Sequence, residues 1–196
     1  ELDPNQSCQS ADDPQSGGAF AASASVFKYD PSPSGDGVYF YRKSCFEQSG
    51  DIETTIGYCN QNSGGYLKVS NNQIENKYKE YLNKLQFTGD NSSGDCKVPE
   101  EEQNCVKYDK NGVCTQRSCP ALDGENISSI IINGDYIVLL VYKGQGDNDS
   151  GPWTYCQAFP TVDDVNKIGP QQIKWENIRN HVGALPNYMV IFPVQK

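Results

Sequence analysis

Basic residues are scarce in this sequence, with 16 Lys and Arg against 25 Asp and Glu and a formal net charge of −9. Because no basic run interrupts this acidic background, we expect neither nucleic acid nor an anionic membrane surface as a partner. Long apolar runs are also missing, and without a stretch of about 18 such residues no membrane-spanning helix is expected. The length of 196 residues suits one domain, so we predict a single domain over residues 1–196.

Histidine and metal-binding motifs are equally sparse. His181 is the sole histidine, and no two cysteines have the Cys-x-x-Cys spacing of a zinc site. The acidic stretch Asp147–Asp149 lacks the ligand spacing of a calcium-binding EF-hand. No serine or cysteine has an identifiable histidine partner for nucleophilic catalysis. We therefore expect no metal site and no catalytic residues, and we predict a protein that is not an enzyme.

Cysteine is the exception to this scarcity, because eight are present. Eight cysteines without a metal motif predict disulfides formed in an oxidising compartment. Secretion is the preferred interpretation, with an organelle lumen as the alternative, and Glu1–Cys8 resembles a mature end left after signal cleavage. Spacing alone does not reveal which cysteines pair. The cysteines expected to form disulfides are Cys8, Cys45, Cys59, Cys96, Cys105, Cys114, Cys119 and Cys156.

Four Asn-x-Ser sequons agree with passage through the secretory route. A chain rich in Asn and Ser produces some of these matches by chance, so they support secretion without establishing it. The candidate glycosylation sites are Asn5, Asn91, Asn126 and Asn148.

The stretch Ile127–Tyr142 carries the strongest structural pattern in the chain. Both arms are rich in β-branched and aromatic residues, and Asn133-Gly134 supplies the two positive-φ residues of a type I′ turn. The pattern predicts a two-residue β-hairpin rather than a helix, in which the Asn-Gly pair would cost about 1 kcal/mol or more. The arms lack strict alternation, so we expect both faces of the hairpin to be covered.

Several shorter patterns before this stretch also predict strands. Gly18–Phe27 places small and apolar residues on one face, and Val38–Tyr41 is a short aromatic run. Asp51–Tyr58 alternates and is predicted to form a second hairpin with Tyr66–Val69. Gln73–Phe87 has apolar residues at helical spacing, but a strand is preferred there, with a helix as the alternative.

The second half of the chain adds an insert and a late helix. Residues 88–124 form a polar, cysteine-rich insert with a turn at Asp109–Gly112, which we expect disulfides to staple. The elements predicted after Ile127–Tyr142 are a strand at Pro152–Phe159, a short helix at Thr161–Ile168, a helix at Pro170–Val182 and a strand at Tyr188–Phe192. Many strands followed by a late amphipathic helix predict a mainly β (α+β) fold dominated by antiparallel sheet.

Asn133-Gly134-Asp135-Tyr136, a tight turn that enters a strand, resembles the Asp-Tyr signature of lipocalins. The tract from Asp135 to Pro160 is similar to the matching part of the lipocalin domain of violaxanthin de-epoxidases. Gly18-Ala19-Phe20 stands where lipocalins have Gly-x-Trp, with Phe20 in place of the tryptophan, and Gln157-Ala158 stands where they have an arginine. The resemblance implies an antiparallel lipocalin-like β-barrel with one C-terminal helix, into which residues 88–124 are inserted.

The resemblance also implies a function, since a barrel of this kind binds one small hydrophobic ligand such as a carotenoid or another pigment. De-epoxidase activity is not expected, because Tyr41–Ser44 precedes Cys45 where those enzymes have an acidic residue. The residues expected to line the ligand site are Phe20, Ala22, Ile52, Tyr136, Val138, Leu140, Trp153 and Tyr155.

Two other functions are compatible with the sequence. The first is a secreted acidic interaction or structural protein with a plugged barrel, which would bind a partner protein or form a homo-oligomer through the cysteine-rich insert. The second is carbohydrate binding, because Tyr58-Cys59 together with Gly64–Leu67 and the helical pattern over 73–85 resembles a C-type lectin domain. The calcium-binding motifs and the C-terminal disulfide position of that family are not found in the sequence.

Overall fold

The computed structural model of the chain describes residues 35–46, 50–74, 77–90, 94–145, 152–160, 169–174 and 185–194. For residues 142–145 and 152–156 it describes the backbone alone. Some predicted elements lie outside these residues, namely the strand Gly18–Phe27, the helix Thr161–Ile168 and the part of the next helix beyond Lys174.

Strands dominate the described residues, with two short α-helices among them. In chain order the elements are β1 (Gly35–Tyr41), α1 (Ile52–Asn62), β2 (Tyr66–Ser70), α2 (Asn71–Ile74), β3 (Tyr78–Tyr81), β4 (Asn104–Tyr108), β5 (Cys114–Ser118), β6 (Ser129–Gly134), β7 (Tyr136–Gln145), β8 (Pro152–Phe159), β9 (Gln171–Lys174) and β10 (Tyr188–Pro193). Short 3₁₀ helices lie at Leu82–Lys84 and Glu100–Glu102.

The strands form two four-stranded sheets and a separate two-stranded hairpin. The first sheet has the order β2-β1-β6-β9, the second has the order β3-β10-β7-β8, and β4 pairs with β5. These pairings are antiparallel throughout, as predicted. The prediction of a closed lipocalin-like β-barrel is wrong, however. The consecutive strands β6 and β7 belong to different sheets, and no pairing among the described strands joins the two sheets.

The Asn-Gly pair at the end of β6 does not close a hairpin. Asn133 and Gly134 are the last residues of β6 and pair with Gly37 and Gly35 of β1, and Gly134 has a positive φ of 137°. The chain bends at Asp135 and continues as β7 in the second sheet, so the hairpin predicted over Ile127–Tyr142 is wrong. A Cβ built on Gly35 would lie 2.3 Å from the Cα of Gly134, so glycine permits a close approach of two backbones here. Long-range pairing with β1 overrides the local turn preference.

The strand predicted over Asp51–Tyr58 is also wrong, because this segment begins helix α1. Asp51 caps the helix, since its Oδ1 accepts a hydrogen bond from the backbone N–H of Thr54 at 2.7 Å. Ile56 is buried against the first sheet, whereas Tyr58 is exposed, so the alternating residues do not share one environment. β2 is a strand as predicted, but its partner is β1.

The segment Gln73–Phe87 is neither one strand nor one helix. It contains the end of α2, the four-residue strand β3 and the 3₁₀ helix Leu82–Lys84, so the preferred strand is confirmed only over β3. The helix predicted from Pro170 is wrong up to Lys174, because Gln171–Lys174 is strand β9 and pairs with β6. The strands predicted at Val38–Tyr41, Pro152–Phe159 and Tyr188–Phe192 are confirmed within β1, β8 and β10.

The inner faces of the two sheets share one hydrophobic core. The core side chains of the first sheet are Val38, Phe40, Leu67, Val69, Ile130, Ile132 and Ile173, and those of the second are Tyr136, Val138, Leu140, Phe159, Met189 and Ile191. Tyr39 and Tyr41 point to the opposite face of β1 and pack with Ile56 and Cys59 of α1. The first sheet is therefore buried on both sides, which explains why consecutive residues of β6 such as Ile131 and its neighbours are all apolar.

Three disulfides join described cysteines. Cys45–Cys59 links the segment after β1 to α1, Cys96–Cys119 closes the base of the insert, and Cys105–Cys114 links β4 to β5. Disulfide formation is thus confirmed for these six cysteines. The side chains of Cys8 and Cys156 lie outside the described residues.

Candidate functional site

The residues predicted to line a ligand site are only partly brought together. Tyr136, Val138 and Leu140 alternate along β7, point to the inner face of the second sheet and are fully buried. Ile52 lies on α1 and packs into the separate cluster on the far side of the first sheet. Trp153 and Tyr155 belong to β8, where the backbone alone is described, and Phe20 and Ala22 lie outside the described residues.

The surroundings of the three β7 residues are those of a packed core. Val138 lies opposite Ile191 of β10 and Phe159 of β8, and Leu140 lies opposite Met189. All of these neighbours are buried apolar side chains of the same cluster. In the described structure these three residues therefore act as core residues of two packed sheets.

Two polar groups lie in this apolar environment, the side chain of Gln157, which lies opposite Leu140 on β8, and the hydroxyl group of Tyr136. The Tyr136 hydroxyl differs from the other polar group in its hydrogen bonding. It is buried and has no hydrogen-bond partner among the described residues. Burial raises the pKa of Tyr136 to about 12, and the negative charges of Asp36 and Asp135 add to the effect. The phenol is therefore protonated at neutral pH and has a hydrogen-bond donor to offer. Leaving such a group unsatisfied costs about 1–3 kcal/mol. This hydroxyl is therefore the group of the predicted ligand site that can donate a hydrogen bond to a ligand.

A second polar cluster lies on the opposite face of β1. The Tyr39 hydroxyl donates to Asp36 Oδ2 at 2.5 Å, and Lys68 Nζ lies 2.7 Å from Asp36 Oδ1 and 5.3 Å from the centre of the Tyr39 ring. Partial burial raises the pKa of Asp36, but the hydrogen bonds from Lys68 and Tyr39 outweigh it, and the pKa is lower than usual. Burial and the bond to Asp36 raise the pKa of Tyr39.

The neighbouring tyrosines connect this cluster to α1. The Tyr39 and Tyr41 rings are stacked with their centroids 6.1 Å apart, and Tyr66 lies 6.2 Å from Tyr41. The Tyr41 hydroxyl donates to Asn60 Oδ1 of α1 at 3.1 Å. Because the hydroxyls of Tyr39 and Tyr41 are already hydrogen-bonded, we interpret this cluster as the contact that fixes α1 on the sheet rather than as a reactive site.

The insert contains the most exposed apolar residues of the described chain. In the β4–β5 hairpin, Val106 is 56 % exposed, Tyr108 is 62 % exposed and Val113 is 60 % exposed. The Cys105–Cys114 disulfide joins the two strands just below the turn. Large exposed apolar side chains grouped on one hairpin are typical of an interaction surface.

The turn of this hairpin has a defined shape, as the sequence predicted for Asp109–Gly112. Asp109 Oδ1 accepts hydrogen bonds from the backbone N–H groups of Asn111 and Val113, each at 2.8 Å. The Asp109 N–H donates to the Val113 carbonyl at 2.9 Å, and Gly112 takes a φ of 80° that favours glycine. The exposed side chains therefore project from a backbone held by hydrogen bonds and a disulfide.

The base of the hairpin is tied to the first sheet. Glu102, just before β4, forms ion pairs with Arg42 and with Lys43, the latter at 2.8 Å, and both cations follow β1 in the chain. Hydrogen bonds from Lys43 and Arg42 lower the pKa of Glu102. The Gln103 side-chain amide donates to the Val98 carbonyl at 2.9 Å. Together with the Cys96–Cys119 disulfide, these contacts give the hairpin a fixed attachment point.

One predicted glycosylation site lies within the described residues. Asn126 is half-buried in a turn, and its Nδ2 atom donates to the Ala121 carbonyl at 3.1 Å. A glycan on Nδ2 would have to preserve this hydrogen bond with the remaining N–H. Asn5, Asn91 and Asn148 lie outside the described residues.

The described structure shows neither a metal-binding cluster nor a membrane-spanning helix. Its residues contain no group of three or more His, Cys, Asp or Glu side chains placed to hold a metal ion. None of its helices combines the length and apolar character required to cross a membrane. The resemblance to lipocalins stays a prediction, because no family model, curated protein or solved structure matches this chain.

Proposed function

We propose that this chain is an extracellular interaction protein that associates with further copies of itself through the β4–β5 hairpin. The observation that carries the proposal is the exposure of Val106, Tyr108 and Val113 on a hairpin of fixed shape. Side chains held on an ordered backbone lose less entropy on binding than those on a disordered one. Tyrosine is also among the residues that most often anchor protein interfaces. The three disulfides are consistent with an extracellular location.

Charge favours a second copy as the partner. Lys107, Lys110 and Arg117 against Asp109 give the hairpin Asn104–Ser118 a net charge of +2, which leaves −11 for the rest of a chain whose total is −9. The hairpin of one molecule is therefore attracted to the acidic body of another. Such a contact joins two different surfaces, so it can extend into rings or open chains of molecules.

Sedimentation velocity over a range of protein concentrations tests this association. We expect the sedimentation coefficient of the wild-type protein to rise with concentration and to fall again when salt screens the charges. The double variant Tyr108→Ser, Val113→Ser should raise the dissociation constant by about tenfold or more, because truncating a residue that anchors an interface weakens binding by at least that factor. The charge reversals Lys107→Glu and Lys110→Glu should have the same effect.

A matched control comes from α1, where Tyr58 is 45 % exposed. Tyr58→Ser removes an exposed ring of similar size and should leave the association unchanged. A wild-type protein that stays monomeric at every concentration would contradict the proposal. So would a hairpin variant that associates as tightly as the wild type.

The buried hydroxyl of Tyr136 supports a second function. We propose that a small hydrophobic ligand with a polar end, such as a carotenoid or another lipophilic pigment, accepts a hydrogen bond from this group. The ligand would satisfy a donor that has no partner among the described residues. Because Val138 and Leu140 are packed against other core side chains, such a ligand would have to displace some of them.

The conservative variant Tyr136→Phe tests the state of this hydroxyl. In the ligand-free protein it should raise the free energy of unfolding by about 1–3 kcal/mol, because it removes an unsatisfied buried group. Tyr39→Phe should instead lower this free energy, because the Tyr39 hydroxyl is bonded to Asp36. The native protein should show a visible spectrum or release a lipophilic compound on extraction, and Tyr136→Phe should weaken its retention. A colourless native protein with no extractable compound would exclude this function.

A further inference from the structure

Strand β3 is an edge of the second sheet and pairs with β10. In this pairing Tyr81 lies opposite Tyr188, and Lys79 lies opposite Val190. The two tyrosine rings have centroids 5.8 Å apart and planes inclined by 59°. Tyr81 is 45 % exposed and Tyr188 is half-buried, so the ring of Tyr81 faces solvent at this edge and packs against that of Tyr188.

Lysine side chains surround these rings. Lys79 Nζ lies 5.2 Å from the centre of the Tyr188 ring, and Lys84 Nζ lies 5.2 Å from the centre of the Tyr81 ring. Cation–π attraction at these distances restrains the ammonium groups beside the rings. We call Lys79, Tyr81, Lys84 and Tyr188 the lysine–tyrosine face.

The positive charge of this face is not neutralised by nearby described residues. No described carboxylate lies within ion-pair distance of Lys79 or Lys84. The carboxylate of Glu80 is turned to the backbone, where its Oε1 accepts the N–H of Tyr81 at 2.9 Å. Lys77, which lies 5.9 Å from the Phe192 ring centre, adds a further positive charge beside the same strand. These three lysines concentrate positive charge on one edge of the sheet in a chain whose net charge is −9.

Lysine on an edge strand has a simpler explanation, because it discourages pairing with the strands of other molecules. That explanation accounts for the charges alone. It does not account for the solvent-facing ring of Tyr81 between Lys79 and Lys84, since an exposed aromatic residue on an edge increases rather than decreases association.

We propose that the lysine–tyrosine face binds an acidic polysaccharide, independently of the self-association described above. The C–H face of a sugar ring packs on the exposed ring of Tyr81, as apolar surfaces pack on aromatic side chains generally. Carboxylate or sulfate groups of the same and neighbouring sugars accept charge-assisted hydrogen bonds from Lys79 and Lys84. A linear polymer suits this face because Lys79 and Tyr81 lie about 6–7 Å apart along the edge strand β3, and Lys84 lies in the 3₁₀ helix that continues from it.

Isothermal titration calorimetry with defined polymers tests the proposal. Hyaluronan offers carboxylates without sulfate, dextran sulfate offers sulfates without carboxylate, and dextran is the neutral reference. We expect binding to at least one acidic polymer and none to dextran. Lys79→Gln with Lys84→Gln should weaken binding about tenfold and lower the slope of log affinity against log salt by about two, one for each lost contact. Tyr81→Ala should weaken binding while leaving that slope unchanged.

Matched controls exist elsewhere in the chain. Lys97→Gln with Lys174→Gln removes the same charge from exposed positions outside both proposed binding surfaces, and Tyr58→Ala removes a ring as exposed as that of Tyr81. Both controls should bind the polymer as the wild type does. Binding to neither acidic polymer would overturn the proposal, as would controls that lose as much affinity as the β3 variants. Equally tight binding of polyglutamate would assign the face to acidic peptides and overturn it as well.

Discussion

Replacing Leu140 with alanine should lower the free energy of unfolding by about 2–5 kcal/mol. Leu140 is fully buried on β7, and its inward-facing side chain packs in the core that both four-stranded sheets share. Truncation removes apolar contacts and leaves a cavity that the two sheets cannot close without moving. Urea denaturation monitored by tryptophan fluorescence and circular dichroism measures the change, and the denaturant slope should stay constant.

The adjacent residue supplies the control. Leu139 points to the outer face of the second sheet and is half-buried, so Leu139→Ala should cost clearly less than Leu140→Ala. A similar, small loss for both variants would mean that Leu140 borders a water-filled space. That result would restore the ligand-lining role predicted from the sequence and remove the core role assigned by the structure.

Removing the Cys45–Cys59 disulfide should have the second large effect on stability. The two cysteines are 14 residues apart, and a cross-link over a loop of this size stabilises a protein by about 3 kcal/mol. Cys59 is also fully buried on the side of α1 that faces the sheet, so Cys45→Ala with Cys59→Ala loosens the packing of the helix on the sheet. With about 2–4 °C for each kcal/mol in a chain of this size, the melting temperature should fall by about 6–12 °C.

The hairpin disulfide provides a comparison for this experiment. Cys105 and Cys114 are only 9 residues apart and lie in a two-stranded sheet outside the main core. Cys105→Ala with Cys114→Ala should leave the melting temperature of the two large sheets nearly unchanged, yet weaken self-association by loosening the hairpin. Equal losses of melting temperature for the two pairs would show that the hairpin is part of the main cooperative unit.

Strand composition could be predicted from the sequence, but strand partners could not. The apolar runs within β1 and β10 contain β-branched and aromatic residues whose preference for sheet is local, and both predictions are confirmed. The Asn133-Gly134 pair also carries a local preference, for a tight turn, and there the prediction fails. Pairing of β6 with β1 joins residues such as Ile131 and Tyr39, which are far apart in the chain. No window of sequence contains that information.

Helix α1 shows a different reason for error. A spacing of two residues among Ile52, Ile56 and their neighbours fits a strand, but residues four apart also share one face of a helix. The capping position of Asp51, three residues before Thr54, was the signal that favours a helix. The buried residues of the helix are Thr55, Ile56 and Cys59. The alternating pattern does not identify this set.

The candidate sites also combine features that are visible in the sequence with features that depend on the fold. The insert was predicted as a disulfide-stapled segment because cysteine density and the Asp109–Gly112 turn are visible in the sequence. The exposure of Tyr108 is not predictable from the sequence, because tyrosine occurs in both buried and exposed positions. On the second sheet, the abundance of lysine and tyrosine over 77–81 is visible in the sequence. The opposing Tyr188 enters only through the pairing of β3 with β10.

The crossing of the chain from β6 to β7 at Asp135 has a consequence for how the protein folds. Each of these strands sits between two partners in its own sheet, so both sheets depend on one continuous segment. The partners come from distant parts of the chain, as with Tyr41 beside Ser129 and Tyr81 beside Tyr188. Such high contact order makes folding slow. The β4–β5 hairpin, whose strands are neighbours in sequence, can form early, so the surface proposed for self-association can be complete before the core is.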